Sequence, residues 1–252
     1  MNLPRLLPFL ILGAMGSAQA WELASLEPAA ALPAGASFVQ REVRQAGRAV
    51  RIQAIFFSTK KCRIEVLDNE PARTSLEAAV QSAGGFAGVN GGYFHDSFVP
   101  VGLMISRGKT IHPFERAKLL GGVLSVRGKT ASLLRSAEFK PSDQITEALQ
   151  AGPFLLDQGA PAVGLNDEKL ARRTVVASDG GDQWALLLFS HVTLAQAAEI
   201  LGDPALFPEA RFRRALNLDG GSSSAIWAAL DPKPFSLRGF ATVRNFVGIR
   251  PL

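Results

Sequence analysis

Leu216-Asn217-Leu218-Asp219-Gly220-Gly221-Ser222-Ser223-Ser224-Ala225-Ile226-Trp227 is the run on which the reading of this chain turns. Apolar residues alternating with Asn217 and Asp219 predict a strand that delivers a carboxylate to its end. Gly220 and Gly221 then free the backbone to turn and remove the Cβ atoms that keep a ligand from the amides. Ser222, Ser223 and Ser224 bring three hydroxyls to the same place, which makes a mouth for a polar or anionic ligand. The competing reading is a Gly-Gly turn with a solvated serine cluster, since Asp before Gly-Gly also serves local turns. A second run of the same kind, Val89-Asn90-Gly91-Gly92-Tyr93-Phe94, favours the ligand site.

Outward from these two mouths the chain reads as short strands. Phe38 to Val43, Ile52 to Phe57 and Cys62 to Leu67 have strand patterning, and Phe86 to Asn90 leads into the first mouth. Glycine-containing turns at Ser106-Arg107-Gly108 and Arg127-Gly128-Lys129 mark two hairpins, and Asp179-Gly180-Gly181-Asp182 marks a third between Ala171–Ser178 and Trp184–Phe189. Helices are expected after Thr74, which forms a capping box with Glu77, over Ser142–Leu149 after Pro141, and over Leu194–Leu201 after the cap Thr193. Gly152-Pro153 gives an irregular entry to the apolar Phe154-Leu155-Leu156, and Asn245 to Ile249 closes the chain as a strand. Many strands with few helices predict an α+β fold with mixed, mostly antiparallel sheets and a few short helices.

Residues 1–20 have the form of a signal peptide: Arg5, then the apolar Leu6 to Met15, then Ala18-Gln19-Ala20, with cleavage before Trp21. Its apolar core falls short of the roughly 20 residues that span a bilayer. No later segment qualifies, so no integral membrane segment is expected after cleavage and the protein is expected in the periplasm or secreted. Residues 21–252 are expected to form a single domain, because no linker or charge block divides them and 47% apolar residues supply an ample core. Cys62 is the sole cysteine, which excludes an internal disulfide. The net charge of +5 is interspersed among strand residues instead of forming a stripe, which argues against a nucleic-acid partner.

Asn90, Arg173 and Asp219 all fall at the ends of predicted strands. A guanidinium donates two parallel charge-assisted bonds to a phosphate, so Arg173 with glycine amides suggests recognition of a phosphate or sugar phosphate. Of Arg172 and Arg173, strand alternation lets only one face the mouth. His95 is a candidate acid or base after the first mouth; His191 and His112 read as rim or structural residues. A serine hydrolase built on Ser223 lacks the Gly-x-Ser-x-Gly elbow. No His or Cys spacing marks a metal site, yet Asp219, Asp157 and backbone oxygens are donors of the kind Ca²⁺ takes, so metal content stays open.

Asn90-Gly91-Gly92-Tyr93-Phe94, Pro100-Val101-Gly102-Leu103, Gly152-Pro153-Phe154-Leu155, Arg173-Thr174 and Leu216 to Ser224 resemble, in this order, the motifs of the phosphodiester glycosidase family. The resemblance spans roughly residues 85–250. It implies hydrolysis between a sugar's anomeric carbon and a phosphodiester oxygen, on a sugar phosphodiester or an envelope or extracellular polysaccharide. It implies Asp219, Arg173 and Asn90 as catalytic residues. Gly91, Gly92, Tyr93, His95, Thr174, Asn217, Gly220, Gly221, Ser222 and Ser223 are the expected substrate contacts. Ala177 and Ser222 stand where the family often has glycine, which predicts a narrower second mouth. A non-catalytic glycan-binding or polysaccharide-assembly factor of the envelope is the alternative on the same pocket.

Overall fold

The structure is a computed structural model and describes residues 20–70 and 73–252; the expected signal peptide lies outside the described residues except for Ala20. The runs of β-branched and aromatic residues form strands. The first are β1 (Glu22–Leu26), β2 (Ala30–Ala31), β3 (Ser37–Gln45), β4 (Arg48–Ser58) and β5 (Cys62–Asp68), followed by helix α1 (Leu76–Ser82) and β6 (Ala87–Asn90). Then come β7 (Met104–Ser106), β8 (Lys109–His112), β9 (Gly122–Arg127), β10 (Thr130–Arg135), β11 (Ile145–Ala151), β12 (Phe154–Asp157) and β13 (Ala160–Pro161). The long hairpin of β14 (Ala171–Ser178) and β15 (Gln183–Val192) leads to helix α2 (Leu194–Gly202). The last strands are β16 (Arg214–Asn217), β17 (Ile226–Ala228), β18 (Phe235–Leu237) and β19 (Asn245–Pro251).

These strands make three sheets. The large one runs β1-β3-β4-β15-β14-β16-β12-β13, with β2 also on β3; the second runs β10-β9-β11-β7-β8, and the third β18-β17-β6-β19-β5. Every pairing within them is antiparallel. The α+β fold with mostly antiparallel sheets and few short helices is therefore the observed one. The central strands of the large sheet are buried on both faces, which is why they read as continuous apolar runs, while its edge strands β1 and β13 are exposed. Trp184, Leu186 and Leu188 of β15 pack with Ile55, Val89, Met104 and Val247, a core that joins all three sheets. The alternate residues Ala185, Leu187 and Phe189 pack on the other face with Ile200 and Leu201 of α2.

Two local expectations are corrected. Residues 142–149 do not form a helix: Ile145–Ala151 is the central strand β11, hydrogen-bonded to β9 on one side and β7 on the other. Glu, Ala, Leu and Gln favour a helix by only roughly 0.5 kcal/mol per residue, and burial between two strands outweighs that. The cap of α1 is Ser75, whose side chain accepts from the Ala78 N–H, and not Thr74, whose hydroxyl donates to Asn69 Oδ1 at 3.2 Å. At α2 the Thr193 cap is present and forms a full capping box with Gln196. No helix among the described residues is long and apolar enough to cross a membrane.

Candidate active site

The two mouths come together. β6 of the third sheet and β14 and β16 of the large sheet end at one place, and hydrogen bonds cross between the sheets there. Asn90 at the end of β6 is fully buried, and its side chain is the junction. Its Oδ1 accepts from the Thr174 hydroxyl at 2.7 Å and the Ala225 N–H at 3.0 Å, while Nδ2 donates to the Asp219 carbonyl at 2.7 Å. The Asp219 N–H in turn donates to the Gly91 carbonyl at 3.0 Å. The main chain of Asp219 is thus pinned on both sides by residues of the other mouth.

The carboxylate of Asp219 is held by its neighbours in the turn. Oδ1 accepts from the Gly220 N–H at 2.8 Å, and the Ser223 side chain beside the carboxyl favours its charged form. Burial nevertheless raises the Asp219 pKa above the ordinary carboxylate value, against both of these effects. Arg173 is half-buried; its Nε and one terminal nitrogen donate to the Val192 carbonyl at 3.2 Å and the Lys169 carbonyl at 2.7 Å. Burial lowers its pKa. Among the described residues no cation pairs with Asp219 and no carboxylate pairs with Arg173. Tyr93 stands between the two charges in effect: its hydroxyl, pushed up to about 12, is raised first by burial and then by Asp219, and lowered by an Asn217 hydrogen bond and by Arg173.

The Tyr93 hydroxyl donates to the Gly152 carbonyl at 2.5 Å and accepts from Asn217 Nδ2 at 3.0 Å. Asn217 is buried, with Nδ2 also bonded to the Gly152 and Leu218 carbonyls and Oδ1 left without a protein partner. Thr174 is buried and bonded to Asn90; His95 is exposed on the loop after the first mouth, with its N–H on the Val99 carbonyl. The glycine amides differ from expectation. The N–H of Gly91 donates to the Asn245 carbonyl at 2.9 Å and that of Gly92 to Asn245 Oδ1 at 2.7 Å, so both are committed to the protein and neither is free for a phosphate. A Cβ on Gly91 would overlap Asn245 Oδ1, so close approach to Asn245 is what requires glycine there.

Two candidate donors for Ca²⁺ are not brought together. Asp157 lies at the Arg214 end of β16, paired with Arg135 at 2.8 Å and Arg214 at 3.2 Å, whereas Asp219 lies beyond the other end. Among the described residues no three His, Cys, Asp or Glu side chains group as metal ligands. No histidine ring is hydrogen-bonded to Ser223 or Asp219 among the described residues, so the serine-hydrolase arrangement is not assembled.

Residues 83–250 match the family described as phosphodiester glycosidase. The chain belongs to the phosphodiester glycosidase family. The catalytic domain of zebrafish N-acetylglucosamine-1-phosphodiester alpha-N-acetylglucosaminidase, auto-inhibited by its pro-peptide, is similar with a TM-score of 0.63 at 17% identity, over 93% of this chain and 88% of that one. A Synechocystis protein (TM-score 0.58, 15% identity, 85% of this chain and 62% of that one) shares the fold. So does a putative exported protein of Burkholderia pseudomallei (TM-score 0.53, 12% identity, 86% and 75%). The uncharacterized protein YigE of Escherichia coli K12 is 33% identical over 78 residues, 28% of this chain. That match spans about a third of the curated relative's length, 31%.

Membership of the phosphodiester glycosidase family directs attention to what lines the mouth. Of the two departures from the family's usual glycines, Ala177 does not line it: it is buried against Ala185 and Ala215 in the core beneath α2. Only Ser222, exposed at the rim, adds a side chain there. Asn245 was not singled out by sequence. Its signal is a polar residue heading an otherwise apolar strand, and its partners lie about 150 positions earlier in the chain.

Proposed function

We propose that the protein is an exported hydrolase that cleaves between a sugar's anomeric carbon and a phosphodiester oxygen, with Arg173 on the phosphate and Asp219 at the anomeric carbon. The observation that carries this reading is the pair of opposite, half-buried charges on one mouth, neither neutralised by the protein. A buried charge without a partner is costly, and a bound phosphodiester with cationic character developing at its sugar complements both.

The chemistry needs little else. Glycosidases commonly use one carboxylic acid to protonate the leaving oxygen and a second carboxylate as base or nucleophile. A phosphate monoester leaves without protonation, so one carboxylate suffices. In the proposed step Asp219 takes a proton from water as the water oxygen bonds to the anomeric carbon; the bond to the phosphodiester oxygen breaks, and its electrons leave with the phosphate held by Arg173. The products are a reducing sugar and a phosphate monoester. Asn90 and Thr174 act as positioning residues through the Asp219 main chain, because their own polar atoms are occupied by the protein. Tyr93 supplies a neutral hydroxyl beside both charges.

The test is release of reducing sugar from a small panel of sugar-1-phosphodiesters by the wild-type protein and by Asp219→Asn. Turnover that disappears with Asp219→Asn is the expected result, with an acid limb of kcat/KM above the ordinary carboxylate range, as the direction of the Asp219 shift requires. Equal turnover by both proteins refutes the role of Asp219. Binding of the same compounds with no turnover by either protein would assign the pocket to a glycan-binding factor.

A further inference from the structure

A cavity of about 340 Å³ adjoins the Asp219 turn and shares a wall with it. Ser223, in the turn after Asp219 with its N–H on the Gly220 carbonyl at 3.2 Å, lines this cavity too, together with Arg73, Ser75, Arg238, Gly239 and Phe240. Its lining among the described residues holds two arginines and several hydroxyls but no carboxylate. Neither Arg73 nor Arg238 is ion-paired among the described residues; the Arg73 guanidinium rests on the Phe98 ring, 4.5 Å from its centroid, and Arg244, which shares that ring, pairs with Asp68 and Glu70. The cavity therefore has two arginines and no carboxylate in its lining, right beside the place where a phosphodiester is proposed to be cut.

The outer wall is built onto the turn itself. The N–H groups of Phe240 and Ala241 donate to the Ser222 carbonyl at 2.7 and 3.2 Å. A Cβ on Gly239 would come within 2.9 Å of that same carbonyl and 3.0 Å of the Ser223 carbonyl, so glycine is what lets the wall lie this close. Arg172, the neighbour of Arg173, buttresses it: its guanidinium donates to the Arg238 carbonyl at 3.3 Å and lies 4.9 Å from the Phe240 ring centroid. Phe240 is 83% exposed, an unusual place for a phenyl ring unless something covers it. A flat apolar face beside arginines and hydroxyls suits the carbon face of a sugar or alditol that carries an anionic group.

We propose that this cavity is a subsite for the next anionic unit of the leaving-group side, so that the preferred substrate is a glycan chain with repeated phosphodiesters and not an isolated sugar-1-phosphodiester. The proposal rests on the reading of Asp219 and Arg173 as the hydrolytic site. One phosphodiester lies at Arg173, the chain runs past Ser223, and the next phosphate sits between Arg73 and Arg238 with the intervening unit on Phe240.

The test separates the two readings by measuring binding and turnover apart. In the Asp219→Asn background, affinities are measured for a glycan fragment with one phosphodiester and for one with three, with and without the further substitutions Arg73→Gln and Arg238→Gln. The expected result is an affinity at least roughly tenfold higher for the longer fragment, a ratio that falls toward one in the arginine-substituted protein and at high salt. Arg73→Lys with Arg238→Lys restores part of the ratio by keeping the charge. Equal affinity for the two fragments, or a ratio unmoved by the glutamine substitutions, overturns the subsite. Equal affinity for an oligonucleotide of the same charge overturns its assignment to a glycan. If the arginine-dependent ratio is found while no fragment is hydrolysed by the wild-type protein, the subsite stands and the hydrolytic reading falls.

Discussion

Replacing Asn90 by Ala removes three hydrogen bonds at one stroke and leaves the Asp219 carbonyl, the Ala225 N–H and the Thr174 hydroxyl without their partner. Each polar group orphaned in a buried site costs about 1–3 kcal/mol. Water reaching the open side of the mouth will satisfy part of that, so we expect Asn90→Ala to destabilise by about 3–5 kcal/mol, a large share of the ~5–15 kcal/mol typical of a folded domain. Thr174→Val alone removes one bond and leaves Asn90 Oδ1 with Ala225, for about 1 kcal/mol. In the Asn90→Ala background the same valine removes a hydroxyl that has already lost its partner, and it should be neutral or slightly stabilising. The double-mutant cycle should therefore show a coupling of about 1–2 kcal/mol. Urea unfolding of the four proteins measures it, provided the midpoint moves and the slope does not. Additive effects would refute the claim that Asn90 and Thr174 act as one unit. Turnover of a sugar-1-phosphodiester should fall with Asn90→Ala even where the variant is folded, since the main chain carrying the carboxylate has lost its tether.

Other outcomes follow from the same geometry. Arg173→Lys keeps the charge but not the planar fork, and should lower turnover by roughly 100-fold while loss of the bonds to the Val192 and Lys169 carbonyls lowers stability by only about 1 kcal/mol; near-wild-type turnover would take Arg173 out of the mechanism. Gly91→Ala drives a Cβ into Asn245 Oδ1 and should cost about 3 kcal/mol in thermal or urea unfolding; an unchanged midpoint would show that the two mouths are not as closely packed as described. Glu147, buried between β5 and β7 with Oε2 accepting from the Val66 N–H at 3.0 Å, has its pKa pushed up to about 7, chiefly by burial. A raised carboxylate pKa means that the native state holds the proton more tightly. Its stabilisation is complete below about pH 4.5 and is lost as pH rises through about 7, by at most ~3 kcal/mol. Glu147→Gln should flatten the change in stability between pH 5 and pH 8, and an identical pH slope in both proteins would refute the assignment.

Much of this architecture is legible in the sequence because it depends on local pattern. The β14–β15 hairpin follows from two β-branched or apolar runs around Asp179-Gly180-Gly181-Asp182, and α2 follows from Thr193 and its apolar face. What is lost is whatever depends on distant partners. Ile145–Ala151 has helix-forming composition and becomes a strand only because β7 and β9 flank it. Both mouths are visible as Asn-Gly-Gly and Asp-Gly-Gly, yet nothing nearby shows that the Gly91 and Gly92 amides are taken by Asn245. The wall from Arg238 to Val243 is harder still. It has no periodicity to read, and its relation to Ser222 exists only once the chain has folded back on itself.

The same distant contacts explain why an asparagine stands at the junction. The Asp219 turn belongs to the large sheet through β16, and Asn90 belongs to the third sheet through β6, so the position of the carboxylate depends on how two separately hydrogen-bonded layers meet. A residue that fixes this seam must accept from one side and donate to the other. Serine has too short a reach, and aspartate would set a charge against the Asp219 carbonyl. Asparagine does both, accepting from Thr174 and Ala225 and donating to Asp219, with no charge to bury. The proposed attack at an anomeric carbon would tolerate little misplacement of Asp219, since an error of about 1 Å can cost on the order of 100-fold in rate. A seam held by one uncharged, fully satisfied side chain would provide the precision that the proposed step requires without adding a further charge beside Asp219 and Arg173.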